Sequence, residues 1–166
     1  MTSTPKVTIG TMVSDAISET APRRPSGLGR RGIALLREVP LFSQLSHRHL
    51  RHLASHAEEV RYGANRAIVR QGTRGDSFFV IAEGTATVRR GTRAIRRLGP
   101  GDFFGEMSLL DGRPRSASVI ADTSLVTVRL TRTAFNKALD ANPSMARGIM
   151  AELAARIRRL ESPRGR

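Results

Sequence analysis

The 166-residue sequence contains no cysteine and no tryptophan, and has one tyrosine and six phenylalanines. Without cysteine there is no disulfide scaffold, no thiolate metal site and no cysteine nucleophile. Aromatic residues make up 4% of the chain, too few for a stacking platform of the kind that grips single-stranded nucleic acid. Long apolar runs are missing as well. The first 32 residues hold no stretch of signal-peptide length and no later run approaches a bilayer span, which predicts a cytoplasmic protein with no membrane span. Lysine is nearly absent, Lys6 and Lys137 being the only two among 28 basic residues.

Arginine is what the chain has in excess. The formal net charge is +14, a balance that attracts polyanions by releasing their counterions. Residues 1–37 carry six basic and two acidic side chains, residues 147–166 six and two, and the middle sixteen and ten, so the ends supply +8 of the +14. The plain reading is a solvated basic surface with basic tails, and the skew towards arginine is what a GC-rich coding sequence produces. The competing reading is a basic interaction protein that contacts RNA, DNA or a ribonucleoprotein through Arg23, Arg24, Arg30, Arg31, Arg156, Arg158 and Arg159.

Length allows one domain. Residues 1–32, rich in Ser, Thr, Pro, Gly and Arg, bury too little apolar surface to offset their ordering entropy and read as a disordered basic tail. Order is expected from Ile33 to residue 161, with 162–166 as a C-terminal tail. A short helix halts before Pro40, and Ser46 opens a second in which Leu50, Leu53, Ala54 and Ala57 recur at helical spacing. His52 and His56 on a neighbouring face have the four-residue spacing of a metal pair, with Glu59 a turn further on, although no zinc-type motif surrounds them and a solvated helix flank is the plainer account.

From Glu58 to Leu130 short runs rich in Val, Ile, Phe and Thr (67–70, 77–82, 85–89, 94–98, 116–121 and 125–130) alternate with glycine-bearing turns, giving about eight strands in a sandwich or barrel. Thr131 begins a helix, and after Pro143 a last helix carries Met145, Ile149, Leu153, Ile157 and Leu160 as an apolar stripe. That stripe suits a lid over the strands, or a seam through which a monomer becomes a homodimer.

The chemistry concentrates between Gly99 and Ala117. A glycine-rich turn leads into Glu106–Leu110, a single helical turn whose first amides are unpaired and favour an anion. Gly105 permits close approach to that backbone, and the planar fork of Arg115 suits bidentate closure on the same anion. Glu106 would repel an anion unless it accepts hydrogen bonds from neutral hydroxyls, as an acidic residue does for ribose in dinucleotide folds. The ligand so implied has one phosphate and a sugar hydroxyl. No nucleophile with a base, metal motif or paired carboxylates is visible, so catalysis is not expected.

Phe104-Gly105-Glu106-Met107-Ser108-Leu109-Leu110, followed by Arg113-Pro114-Arg115-Ser116-Ala117, resembles the phosphate-binding cassette of the cyclic nucleotide-binding domain family. That family includes catabolite activator proteins and the regulatory subunits of cAMP-dependent kinase. The resemblance runs from about Val39 to Leu160. It implies an α+β, mainly β fold: an eight-stranded antiparallel, jelly-roll-like barrel with an N-terminal helix, a short cassette helix and two C-terminal helices. It also implies a cyclic nucleotide ligand, cAMP ahead of cGMP, with Glu106 on the ribose 2′-hydroxyl and Arg115 on the cyclic phosphate. Phe104, Gly105, Met107, Ser116 and Ala117 complete the site, and Leu153, Arg156 and Ile157 are candidates to cover the purine. Where the family often has Pro and Gly, this chain reads Tyr62-Gly63-Ala64-Asn65, and Asn65 can take the left-handed conformation such a turn needs. Activator-type relatives continue into a helix-turn-helix, for which the six residues after Leu160 are too few. The resemblance therefore implies a stand-alone sensor acting on a separate, unidentified protein partner.

Overall fold

Residues 28–162 are described by a computed structural model. The expected N-terminal tail lies outside them as far as residue 27, and the C-terminal tail from residue 163. In chain order the elements are helix α1 (Arg30–Glu38), a 3₁₀ turn (Pro40–Phe42), α2 (His47–Ser55), strands β1 (Ala57–Tyr62), β2 (Ala67–Val69), β3 (Ser77–Glu83), β4 (Ala86–Arg90), β5 (Arg93–Leu98) and β6 (Phe103–Phe104), the short helix α3 (Glu106–Asp111), β7 (Ser118–Ala121), β8 (Leu125–Thr131), α4 (Arg132–Ala141) and α5 (Pro143–Glu161). Helix α1 starts three residues ahead of Ile33. The chain is tied down there by the Leu28 amide, which donates to the Ala54 carbonyl at 2.8 Å, and by the Leu28 side chain, which is buried in the helical core.

Eight strands are present, but they do not close into a barrel. They form two four-stranded antiparallel sheets, β1-β8-β3-β6 and β2-β7-β4-β5, and no strand ladder joins one sheet to the other among the described residues. The chain passes from one sheet to the other at corners. At the first, Asn65 takes φ 64° and its amide donates to Ala121 O at 2.7 Å, so an asparagine does the left-handed work expected of it. At another, Gly99-Pro100-Gly101 carries the chain from β5 to β6. Barrel closure needs a continuous hydrogen-bonded register around the ring, and no ladder links the edge strands of one sheet to those of the other among the described residues.

Two cores follow from the alternation of side chains along strands. Phe79 and Ile81 of β3 join Ala86, Leu98, Phe104, Val119, Ala121 and Leu125 between the sheets. Phe78 and Val80 of the same strand point the other way, into a larger core with Leu36, Phe42, Leu50, Leu53, Phe135, Met145 and Ile149 from the helices. The continuous apolar run Phe78–Ile81 is thus a strand covered on both faces.

The helix ends obey local chemistry. The Ser46 hydroxyl accepts from His49 N at the start of α2, and the Thr131 hydroxyl from Ala134 N at the start of α4. The α5 stripe divides: Met145 and Ile149 are buried, Leu153 packs at the edge of the helical core, and Ile157 and Leu160 are exposed.

Candidate functional site

Strand β6 positions the site. Its two side chains point into opposite cores, Phe104 stacked on Phe79 with centroids 5.0 Å apart and Phe103 against Phe78. The next residue, Gly105, has φ 91° and N-caps α3, where a left-handed backbone swings the chain into the helix. It is also crowded. A Cβ on Gly105 would lie 2.8 Å from both Arg115 Nη1 and Ser77 O, so glycine is required twice over. Gly75 closes on the other side, since a Cβ there would meet Ser108 Cβ at 2.4 Å and Arg115 Cζ at 2.8 Å.

The guanidinium held between these two glycines is 6% exposed. Arg115 Nη1 donates to Gly105 O at 2.9 Å and Nη2 to Ser77 O at 2.8 Å, while its own backbone is pinned by Arg115 N to Thr73 O and Gly72 N to Arg115 O, both 2.8 Å. Two of the five guanidinium N–H groups are used and three remain. Among the described residues Arg115 makes no ion pair. Burial lowers its pKa from the ordinary arginine value, Asp76 and Glu106 oppose that shift, and Arg132 adds to it. A buried, cationic fork with free donors and no bonded anion is a costly arrangement unless a ligand supplies the negative charge.

Glu106, 1% exposed, begins α3. Its Oε1 accepts a short hydrogen bond from Arg156 Nη1 of α5, and Arg156 Nη2 also donates to Phe103 O at 3.2 Å with its guanidinium lying over the Phe103 ring. Arg156, one of three candidates on this helix to cover the purine, is bonded to the Glu106 carboxylate. Glu152 anchors it from behind: its Oε1 receives Arg156 Nε at 3.2 Å and Arg159 Nη2 at 3.2 Å, and lies 3.0 Å from Arg96 Nη1 of β5. Burial pushes the Glu152 pKa up, but hydrogen bonding and charge from Arg156 and Arg96 outweigh it and hold the carboxyl below its ordinary value.

Arg132 escaped sequence reasoning altogether. Its guanidinium donates to Gly75 O at 2.7 Å and to Ser108 O and Leu109 O, both 3.3 Å, and so caps the C-terminal end of α3 from the first residue of α4. A basic residue in the first turn of a helix opposes that helix's own dipole, and this was the available signal. At the rim, the exposed Ser116 hydroxyl donates to Met107 Sδ at 3.7 Å. Gly105, Glu106 and Arg115 are brought together at the cassette, with Phe104 packed behind them, whereas Ser116, Met107 and Ala117 sit at its edge and Leu153 and Ile157 make no hydrogen bond to it. A cleft of about 350 Å³ between α5 and the β5–β6 corner is lined by Arg96, Asp102, Phe103 and Arg156 but by no residue of the Arg115 cradle.

The His52 and His56 rings are 4.7 Å apart, but His56 Nδ1 is engaged with His52 O, and Glu59 lies in β1 with its carboxylate bonded to Arg61. Glu59 is thus not on the histidine helix, and no group of three or more His, Cys, Asp or Glu placed to hold a metal occurs among the described residues.

A family model described as the cyclic nucleotide-binding domain matches residues 59–142, just over half of the chain and inclusive of the whole cassette. The chain belongs to the cyclic nucleotide-binding domain family. Within it, a cAMP-dependent protein kinase regulatory subunit from Aspergillus fumigatus is 38% identical over 111 residues, covering 64% of this chain and 26% of the relative. Among solved structures, the catabolite activator protein of Thermus thermophilus shares 31% identity at a TM-score of 0.66, over 74% of this chain and 60% of that one. The regulatory subunit of a cAMP-independent protein kinase A from Trypanosoma brucei shares 26% identity at a TM-score of 0.68, over 74% of this chain and 44% of that one. The chain spans about a quarter of the length of the curated relatives it matches. Among the described residues no helix is long and apolar enough to cross a membrane.

Proposed function

We propose that this chain is a cyclic nucleotide sensor, with cAMP as its ligand, that performs no chemistry on that ligand and acts on a separate protein. The observation that carries the reading is Arg115, a buried guanidinium with three free N–H groups and no bonded carboxylate, set between Gly75 and Gly105. A cyclic phosphate supplies the missing charge, and Glu106 retains a second carboxylate oxygen to accept a ribose hydroxyl. The curated relatives it matches are named as regulatory subunits of cAMP-dependent kinases, which supports cAMP as the ligand. The regulatory-subunit relatives point to a kinase-type partner.

Signal output follows from the hydrogen bonds around the cassette. Arg132 ties its far end to α4 and Arg156 ties Glu106 to α5, so a ligand that draws on Glu106 or shifts Gly105 acts on both C-terminal helices and changes the population of a partner-binding arrangement.

Calorimetric titration with cAMP tests the reading. Wild type should bind cAMP more tightly than cGMP, and Arg115→Ala should cost about 3 to 5 kcal/mol, a loss of roughly two to three and a half decades in affinity. Absence of heat and of any melting shift with either nucleotide at millimolar concentration would overturn it.

A further inference from the structure

The unpaired arginines of the described chain are not evenly spread. Three segments meet at one end of the sandwich: the β2–β3 loop (70–76), the tip of the β4–β5 hairpin (89–93) and the cassette exit (111–115). Hydrogen bonds fix them together. Gly91 N at the hairpin tip donates to Gln71 Oε1 at 2.8 Å, Gln71 N to Ser118 Oγ at 2.9 Å, and Thr73 and Gly72 pair with the Arg115 backbone. On this platform Arg70, Arg74, Arg89, Arg90, Arg93 and Arg113 are all exposed, and none is in an ion pair among the described residues. Arg89 makes one long bond to Thr92 O at 3.5 Å. The acidic residues in the same segments are Asp76 and Asp111, which accept from Ser77 Oγ and from Arg113 N respectively.

Folding works against this grouping. Arg90 and Arg93 are directly opposite each other in the β4–β5 ladder, and like charges at opposed positions destabilise a sheet. The platform is also bare of apolar anchors: the large exposed hydrophobic residues are Ile95, Met107, Leu110, Met150, Ile157 and Leu160, all outside the three segments. A protein-binding patch needs a hydrophobic centre with aromatic or aliphatic anchors. A surface that is polar, strongly positive and built of planar forks that take phosphate oxygens two at a time has the composition of a nucleic-acid interface. With no aromatic residue in the three segments there is nothing to stack on bases, so recognition would stop at the backbone.

We infer that the 70–76, 89–93 and 111–115 platform is a docking surface for the phosphate backbone of a nucleic-acid duplex, independent of sequence and separate from the basic chain ends. The experiment is fluorescence anisotropy of a labelled DNA duplex of about 20 base pairs with the full chain, at salt concentrations between about 50 and 200 mM. Replacing Arg89, Arg90 and Arg93 together by serine should lower the slope of log affinity against log salt by about 3 and weaken binding at the low-salt end about tenfold or more. Should that variant fail to fold by circular dichroism, Arg70→Ser with Arg113→Ser, on the other two segments, should lower the slope by about 2. A slope unchanged in the folded variant, no duplex binding by wild type at low salt, or tighter binding to polyglutamate or phosphatidylserine vesicles than to the duplex would each overturn the inference.

Discussion

Arg115 and Glu106 are both buried, yet removing them has different consequences. Arg115 is held by carbonyls from two segments and makes no ion pair among the described residues, so under the proposed reading its loss removes the buried cation that would face the phosphate. Glu106 already shares one oxygen with Arg156, and a ribose hydroxyl would draw on the other. Glu106→Ala should therefore weaken cAMP binding by about 1.5 to 3 kcal/mol, the worth of one charged hydrogen bond and less than the arginine loss; the same titration measures both, and a larger loss at Glu106 would reverse the assigned roles. These two residues and Gly105 were legible in the sequence because all three lie within eleven positions and their chemistry is complementary. Arg132 and the bond of Arg156 to Glu106 were not, because each reaches the cassette from an element distant in sequence, 50 residues away for Arg156 and 23 to 24 from Arg132 to its partners on α3. No local pattern encodes such a contact.

Among the elements, α5 is held by charge as much as by its apolar stripe. Glu152 gathers Arg96, Arg156 and Arg159, and so joins the helix to β5 and, through Arg156, to Glu106. Its carboxyl is held below the ordinary value in the folded chain. A depressed acidic pKa contributes stability above the unfolded-state value of about 4 and loses it as pH falls through the folded value. Wild type should accordingly be more stable than Glu152→Gln at neutral pH, with the gap closing below about pH 4 in chemical-denaturation curves taken across the acid range; a gap independent of pH would remove the charge network from the account. Element recognition from sequence was good where periodicity was strong, as in β3, β8 and α5, whereas α2 ends at Ser55 and Ala57, expected on its apolar face, opens β1. It was weak for β1, whose Glu58, Glu59 and Arg61 disguise a strand held by the Glu58 to Arg129 ion pair on β8, and for β6, whose two residues show no period at all. The expectation of a closed barrel failed for a related reason: strand count is local, whereas closure depends on which strands pair across the whole chain, and here β1, β6, β2 and β5 are left as sheet edges.

For the molecule as a whole, the +14 charge divides into two kinds of arginine. Among the described residues Arg115 is buried and committed, while the exposed arginines on the three linked loops have no ion-pair partner and include the directly opposed Arg90 and Arg93. The apolar interior divides as well, into a core between the sheets and a core beneath the helices, and β3 is the partition. Phe78 and Val80 belong to one side and Phe79 and Ile81 to the other. The two halves are expected to unfold together, because loosening the helices wets one face of the strand that the sandwich depends on. Heating should give a single calorimetric peak whose measured enthalpy matches the van't Hoff value, and two separable peaks would show that the partition is leaky. With one strand serving both cores, the C-terminal helices are expected to move against the sandwich as folded parts rather than by melting one half away from the other.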